Sequence, residues 1–148
     1  MLKTATLSEV SSRQITKRQG HLVVTTRYYP RYFPRESVHE YISALAPVRE
    51  LLRDFKNAEK KLGHNGAFKY IGYNRRFTLD AKGLGELQRL SELAREKDVY
   101  LICFCSRSQC CHRDLLLLTA QALFGASIES VKQAYPGFDP SRMGPPSE

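Results

Sequence analysis

The sequence predicts a protein of the α/β class with a mainly parallel sheet. Segments rich in β-branched and aromatic residues alternate with segments whose leucines recur at helical spacing, the pattern of such folds. The two strongest strand candidates, HLVVTTRY at 21–28 and VYLIC at 99–103, have apolar centres, as expected for strands buried on both faces. The chain of 148 residues is the size of one domain. We therefore predict a single three-layer domain of Rossmann-like character.

The N-terminal third is predicted to contain two strands. Residues 2–10 are expected to form a short strand and a turn, which a polar connector joins to the strand at 21–28. Pro30 and Pro34 end that second strand and leave an aromatic and arginine-rich loop, YYPRYFPRE. Ser37 is a residue type that caps helix N-termini, so a first helical turn is expected there.

The middle of the chain is predicted to be helical. Pro47 fits the first position of a helix, because the amide proton that proline lacks would be unpaired there. The apolar stripe of this helix consists of Val48, Leu51, Leu52 and Phe55. Residues 60–66 interrupt the pattern, and a separate short helix is predicted over 67–77. Asp80 is a candidate N-cap for the next helix, whose leucine stripe consists of Leu84, Leu87, Leu90 and Leu93.

The last strand is followed by a polar loop and a helix predicted from about Cys110 to Phe124. Its four consecutive leucines make it apolar nearly all round, which indicates a central position. Gly125 is expected to end it. Residues 1–125 then form the α/β domain. Residues 126–148 are predicted to add a short helix over 128–134 and a mobile tail rich in proline and glycine.

The overall charge points to acidic partners. A formal net charge of +8 is typical of proteins that bind nucleic acids, nucleotides or membrane surfaces, although a solvated basic surface explains it equally well. The N-terminus lacks the apolar core of a signal peptide, and no run approaches the ~20 apolar residues of a transmembrane helix. We therefore expect a cytoplasmic protein with no membrane association and reduced cysteines. Phosphate-loop and dinucleotide motifs are absent, and no cofactor is expected.

All four cysteines lie in one segment, CFCSRSQCCHRD at 103–114. This segment and the loop YYPRYFPRE both follow strands, and ligands of parallel sheets bind beside the carboxyl ends of the strands. The helix N-terminus within the segment favours an anion. The arginines predicted to contact that anion are Arg107 and Arg113 from this segment and Arg27 and Arg31 from the other loop. Their planar forks suit phosphate oxygens, and the alternative is a set of solvated arginines.

Cys111 and His112 are candidate catalytic residues. A cysteine at a helix N-terminus near cations loses its proton more easily and becomes a nucleophile. Neighbours on a helix point about 100° apart, so adjacency alone does not make these two a catalytic pair. Cys103 has a simpler explanation as a small apolar residue in a buried strand.

Zinc binding is a further alternative for the cysteine segment. Its ligands would be Cys105, Cys110 or Cys111, and His112, with His64 as a fourth. Paired CxxC motifs are absent, so no metal is expected. The aromatic loop has two interpretations, the stacking of nucleic-acid bases and the covering of the sheet end.

Three segments together resemble the bacterial and archaeal family catalogued as domain of unknown function number 488. They are the arginine–proline segment Arg27–Pro34, the LAP helix start Leu45–Pro47, and Cys111–Arg113 after a buried strand. The resemblance covers about residues 2–125. It implies a single small α/β domain whose site lies at the first and last of these segments, and it implies no particular reaction.

The sequence therefore favours a protein that binds a phosphate-bearing ligand, a nucleotide or a nucleic acid, in a basic pocket at the carboxyl edge of the sheet. An enzyme that acts on such a ligand through Cys111 or His112 is one alternative. A protein-interaction module that presents its basic face to an acidic partner, without catalytic activity, is another.

Overall fold

Four parallel strands form the centre of the computed structural model, which describes residues 1–143. The strands are β1 (Leu2–Thr6), β2 (His21–Val24), β3 (Glu40–Tyr41) and β4 (Val99–Cys103). Their order across the sheet is β1-β4-β2-β3, and each neighbouring pair is parallel. The parallel sheet and its helical connections confirm the predicted α/β, Rossmann-like fold.

Five α-helices accompany the sheet within residues 1–143. They are α1 (Leu7–Ser11), α2 (Arg49–Tyr70), α3 (Tyr73–Arg76), α4 (Ala81–Leu93) and α5 (His112–Phe124). Short 3-10 turns occur at Arg35–Ser37, Ser43–Leu45 and Pro140–Met143. None of the helices in this part of the chain has the length and apolar character needed to cross a bilayer.

Strand β4 lies between β1 and β2, and its register aligns the carboxyl ends of all three strands. Thr6 of β1 is opposite Cys103, and Val24 of β2 is opposite Ile102. The Thr25 amide continues the ladder by donating to the Ile102 carbonyl oxygen at 3.0 Å. The loops that leave β2 and β4 therefore begin side by side at one edge of the sheet.

The two faces of the sheet carry layers of unequal thickness. Alternate strand residues point to opposite faces, so Leu101 joins one apolar cluster and Ile102 the other. The larger cluster contains residues of α2, α4 and α5. The smaller cluster is covered by Val10 of α1 and by Phe33 and Val38 of the connection to β3. The three layers are present, and the third is thin.

Helix α5 is central to the thick layer, as its run of leucines predicted. The three leucines at 115–117 are at most 1% exposed. Gly125 ends the helix in a left-handed conformation (φ 65°) that glycine adopts without strain. The helix begins at His112, slightly after the predicted start at Cys110, because Cys111 keeps an extended backbone and is the N-cap residue.

Helix α2 contains the interruption that the sequence predicted at 60–66. The break lies at Gly63, whose non-helical dihedral angles (φ 71°, ψ 178°) separate two helical segments of α2. The second of these segments contains the start of the helix predicted over 67–77. Gly72, which is left-handed (φ 68°), separates this segment from α3.

The predicted N-terminal boundaries of two helical segments are wrong by a few residues. Helix α2 begins at Arg49, because Val48 keeps an extended backbone and is the N-cap, so Pro47 precedes the helix. Ser37 is the last residue of a 3-10 turn that follows Pro34, and it does not cap a helix.

The N-terminal strand is present, and the turn after it is the short helix α1. Thr6 and Glu9 form a capping box: the Glu9 amide donates to Thr6 Oγ1 at 3.0 Å, and the Thr6 amide donates to Glu9 Oε1 at 2.8 Å. Strand β2 ends at Val24, before the predicted end at Tyr28. Strand β3 has two residues, which is too short to show an alternating pattern.

The helix predicted over 128–134 is absent, and Ile128 pairs with Leu2 at the edge of the sheet. The Leu2 amide donates to the Ser127 carbonyl oxygen at 2.8 Å, and the Glu129 amide donates to the Leu2 carbonyl oxygen at 3.0 Å. This backbone pairs with the open edge of β1, where a helix would leave the edge groups unpaired. Apolar residues farther on, including Tyr135, Phe138 and Met143, pack against the large cluster. The rest of the expected mobile tail, 144–148, lies outside the described residues.

Gly83 and Gly85 of α4 differ in the space that surrounds them. Asp80 is the N-cap, as predicted, and accepts a hydrogen bond from the Gly83 amide at 2.8 Å. A Cβ atom at Gly83 would lie 2.6 Å from the Ala44 carbonyl oxygen, whereas one at Gly85 would have no described heavy atom within 4 Å. We expect Gly83→Ala to lower the free energy of unfolding. We expect Gly85→Ala to raise it by up to about 1 kcal/mol, because alanine is the better helix former.

Chemical denaturation of the two variants and the wild type measures both effects. Equal stabilisation by the two substitutions would contradict the close approach of α4 to the 3-10 turn at Ser43–Leu45.

Candidate functional site

A cavity of about 710 Å³ opens where the loops after β2 and β4 meet. Three buried residues, Cys103, Cys111 and His112, line its inner end, which we call the floor. The aromatic residues of its wall are Tyr28, Tyr29, Phe55, Phe68, Tyr73 and Phe104. Its charged lining residues are Arg27, Arg31, Lys56 and Glu59. The cavity thus lies at the edge of the sheet where the sequence predicted a pocket.

The orientation of the His112 ring is fixed by the end of β2. Its Nε2 atom lies 3.0 Å from the Thr25 carbonyl oxygen, which only accepts hydrogen bonds. Nε2 therefore carries a hydrogen, and in the neutral ring Nδ1 keeps its lone pair. Nδ1 lies 3.7 Å from Cys111 Sγ and 3.9 Å from Cys103 Sγ. The lone pair is thus on the nitrogen that faces the thiols.

The thiols of the floor interact with one another and with the imidazole. Hydrogen bonds from the Cys105 and Cys111 thiols hold the pKa of Cys103 well below its usual value, against the opposing effect of burial. Burial alone would lower the pKa of His112, but its electrostatic contacts with Cys103 and Cys111 outweigh burial and raise that pKa to about 10. Cys105 Sγ lies 4.0 Å from Cys103 Sγ, and this contact raises the pKa of Cys105. The arrangement favours a thiolate beside an imidazolium.

Cys111 and His112 are brought together by the local backbone. These two residues do not have the angular separation of about 100° between helical neighbours, because Cys111 has extended dihedral angles (φ −152°, ψ 150°) and only His112 is helical. Sequence reasoning assigned Cys103 to the core alone. The residue is buried, as predicted, but it also belongs to the floor. Its place at the last position of a strand that leads into the cysteine segment was the available signal.

The loop before α5 is held by the residues that follow the kink of α2. His64 Nε2 lies 2.7 Å from the Cys110 carbonyl oxygen, and the Cys110 amide donates to Asn65 Oδ1 at 2.8 Å. His64 Nδ1 lies 3.2 Å from a carboxylate oxygen of Glu59. His64 therefore has both ring nitrogens engaged away from the floor, and it does not join the cluster as the fourth ligand that the sequence offered.

The N-terminus of α5 has an internal partner. The Cys111 amide donates to the Tyr135 hydroxyl oxygen at 3.0 Å, and that hydroxyl donates to the Asp114 carboxylate at 2.5 Å. The sequence predicts that an anion binds at this end of the helix. In the structure, however, the Cys111 amide already has a hydrogen-bond partner, and the first turn contains the carboxylate of Asp114. Tyr135 lies in the segment predicted to be a mobile tail, and no local pattern in the sequence indicates this contact.

Arg113 and Arg107 form internal contacts. The Arg113 guanidinium donates to the carbonyl oxygens of Ala5 and Cys105, and the residue is 3% exposed. Arg107 donates to a Glu9 carboxylate oxygen at 2.9 Å. Both arginines line a second, smaller cavity of about 100 Å³ rather than the main one. Two of the four predicted anion ligands therefore bind other parts of the chain and are not among the lining residues of the main cavity.

Arg27 and Arg31 line the main cavity, as the parallel arrangement of the loops predicted. The Arg27 guanidinium donates to the carbonyl oxygens of Pro47 and Ala46 at 3.0 and 3.3 Å, which joins the loop after β2 to the start of α2. Arg31 is exposed to solvent. Lys56, which sequence reasoning did not select, is a further exposed cation of the lining.

Comparison with known proteins gives one family match. The model described as "DUF488-N3a: Active DUF488-N3 subclade" matches residues 6–122, which include the whole floor and both loops of the cavity. No curated protein and no solved structure matches the chain. The match confirms the family resemblance predicted from the sequence.

The two internal arginines differ in their expected effect on stability. Arg113→Ala removes hydrogen bonds from a buried guanidinium and leaves two carbonyl oxygens without this donor, so we expect a loss of about 3 kcal/mol in the free energy of unfolding. Arg107→Ala breaks a half-exposed ion pair with Glu9 and should cost at most about 1 kcal/mol. Urea denaturation of both variants measures the difference. A smaller loss for Arg113→Ala than for Arg107→Ala would show that the buried contacts do not hold the loop.

Proposed function

The chain belongs to the DUF488 family, and on this premise we propose that its cavity binds a phosphate-bearing ligand, either a nucleotide or a nucleic-acid strand. One observation carries the proposal: basic and aromatic side chains line the same cavity, at the carboxyl edge of a parallel sheet. Cations at the opening supply contacts for phosphate, and ring faces supply contacts for a base.

The cations of the cavity outnumber its carboxylate. Arg31 and Lys56 are exposed lining residues, and Arg27 adds a positive charge that is held in place by two carbonyl oxygens. Glu59 is the acidic residue of the lining within the described chain, and it lies beside His64. The excess of positive charge favours an anionic ligand group at the opening.

Two aromatic lining residues present their rings to solvent. Tyr28 is 58% exposed and Phe104 is 64% exposed, although both are large apolar side chains next to a cavity. They follow β2 and β4, respectively, and so belong to the two loops that frame the opening. Exposed rings beside cations are the contacts that single-stranded nucleic acids and nucleotides use.

Catalysis by Cys111 and His112 is a second candidate function, favoured by the 3.7 Å separation of Cys111 Sγ and His112 Nδ1. The matching family model describes an active subclade. In this reaction the Cys111 thiol gives its proton to Nδ1, and the sulfur forms a bond to an electrophilic atom of the ligand as the bond from that atom to the leaving group breaks. The leaving group takes the proton from the imidazolium, and water then displaces the sulfur and returns a proton to it through His112. The reaction needs reduced thiols, and a cytoplasmic location would supply them.

Ligand binding is tested with Arg31→Ala and Lys56→Ala against Lys60→Ala as the control. Lys60 is an exposed lysine of α2, one turn beyond Lys56 and outside the cavity lining. Binding of a labelled single-stranded oligonucleotide, measured by fluorescence anisotropy at several salt concentrations, should weaken in the two cavity variants. Each should also reduce the salt dependence by about one released counterion.

Lys60→Ala should bind as the wild type does. Equal weakening in all three variants would indicate a diffuse basic surface in place of a pocket. Absence of binding by the wild type to oligonucleotides and to nucleotides would favour the interaction module.

Catalysis is tested by incubating the protein with nucleotides and oligonucleotides and analysing the products by mass spectrometry. Removing the base or the nucleophile of such a pair usually costs a factor of about 100 or more. We expect the turnover rate to fall by about that factor in Cys111→Ser and His112→Ala. Cys110→Ser, which alters a neighbouring buried thiol, should keep the turnover rate of the wild type. Turnover that is unchanged in Cys111→Ser would remove this candidate.

A further inference from the structure

We propose that the floor of the cavity is a zinc site, with Cys103 Sγ, Cys111 Sγ and His112 Nδ1 as its protein ligands. The proposal goes beyond ligand binding, and it gives the two cysteines a different role from that of a nucleophile. It also departs from the expectation of no metal, which rested on the absence of paired CxxC motifs. The ligands come from two elements that the fold brings together, the end of β4 and the start of α5.

The separations of the three ligand atoms fit a tetrahedral zinc ion. All three lie within 4.8 Å of one another, and Nδ1 is 3.7 and 3.9 Å from the two sulfur atoms. Zinc bonds of about 2.3 Å to sulfur and about 2.1 Å to nitrogen place the nitrogen about 3.6 Å from each sulfur and the two sulfur atoms about 3.8 Å apart at the tetrahedral angle. The two nitrogen–sulfur distances are already close to that value, and from the 4.8 Å limit the sulfur atoms would need to approach each other by at most about 1 Å.

The hydrogen bond of the second ring nitrogen of His112 is typical of a metal-binding histidine. The second ring nitrogen of such a residue usually donates to a carboxylate or a backbone carbonyl group, which fixes the tautomer and the ring direction. His112 Nε2 has this partner in the Thr25 carbonyl oxygen at 3.0 Å, and Thr25 is itself fully buried. The ring is therefore held with the ligating nitrogen toward the sulfur atoms before any ion binds.

Arg113, two residues after Cys111, has a buried donor that supports the proposal independently. Its Nε is buried and has no hydrogen-bond partner within residues 1–143, although its other guanidinium nitrogens donate to carbonyl oxygens. A buried N–H without a partner is costly. Outer donors of this kind pair with the ligands of metal sites, and Arg113 directly follows the proposed ligands Cys111 and His112 in the chain.

Two thiolates and a neutral imidazole neutralise the charge of Zn²⁺, so the loaded floor carries little net charge in its buried position. Three protein ligands leave a fourth position, and all three residues line the cavity. A water molecule or a phosphate oxygen of the proposed ligand would occupy that position, as in catalytic zinc sites. Cys105, whose Sγ lies 4.0 Å from Cys103 Sγ, is the residue that would close the site if it served as a fourth ligand.

Metal titration of the full chain tests the proposal. The protein is purified under reducing conditions, stripped with a chelator and titrated with Co²⁺, whose visible spectrum reports tetrahedral geometry and thiolate ligation. We expect saturation at about one equivalent, displacement by Zn²⁺ and a rise in Tm on loading. Failure to bind either metal, or a cobalt spectrum without thiolate bands, overturns the proposal.

Matched variants locate the site. Cys111→Ser and Cys110→Ser remove adjacent buried thiols, one inside the cluster and one outside it. We expect Cys111→Ser to lose the thiolate bands and the zinc-dependent rise in Tm, and Cys110→Ser to keep both. Retention of both signals in Cys111→Ser overturns the proposal. If Cys111→Ser fails to fold, the wild-type titration decides alone.

Two further variants separate related outcomes. Zinc binding by Cys105→Ser supports the three-ligand site, and its loss overturns that site in favour of a closed one with four ligands. Arg31→Ala should bind zinc normally, because Arg31 lies outside the cluster. Loss of oligonucleotide binding in Arg31→Ala together with normal zinc content would thus keep the metal proposal independent of the proposed ligand.

Discussion

The parallel pairing of β4 with both β1 and β2 is the constraint on which the site depends. The register places Cys103 opposite Thr6 on one side, and Thr25 is bonded to Ile102 on the other. A shift of β4 by one residue would turn Cys103 to the opposite face of the sheet, because successive side chains alternate. The Thr25 carbonyl oxygen, which orients His112, would lose its place relative to the thiols at the same time. The chemistry of the floor is therefore a consequence of strand register.

A second constraint holds the segment between β4 and α5. The helical segment of α2 that follows the kink at Gly63 begins with His64 and Asn65, and both residues bind the backbone of Cys110. Arg113 binds the same segment from the other side through the Cys105 carbonyl oxygen. A loop fixed from both sides places its thiols at defined positions, which a mobile loop would not do. The polar side chains around the segment thus hold its backbone in one conformation, whether or not a ligand is bound.

The sequence predicted the elements whose signals are local. The apolar run of Val99–Cys103, the Asp80 cap and the glycine at position 125 each fix a structure through their own residues, and each was found where predicted. Strand β3 and the pairing of Ile128 with Leu2 depend on a distant partner, so no local pattern marks them. The same limit applies to the site. Its edge of the sheet followed from parallel topology, but the inclusion of Cys103 in the floor required the tertiary structure.

The arginines show why residue type alone does not assign a role. A guanidinium group donates to backbone carbonyl oxygens as well as to phosphate oxygens, since both are hydrogen-bond acceptors. Arg113 and Arg107 use that capacity within the chain, whereas Arg31 and Lys56 face the solvent at the cavity.

The cavity therefore has thiols and an imidazole at its inner end and basic side chains elsewhere in its lining. A thiolate floor would repel a phosphate and hold it at the opening, with the base or sugar inward. A zinc-loaded floor, neutral and with one position open, would accept a phosphate oxygen directly. The orientation of the proposed ligand would thus depend on whether the floor holds only protons or a metal ion.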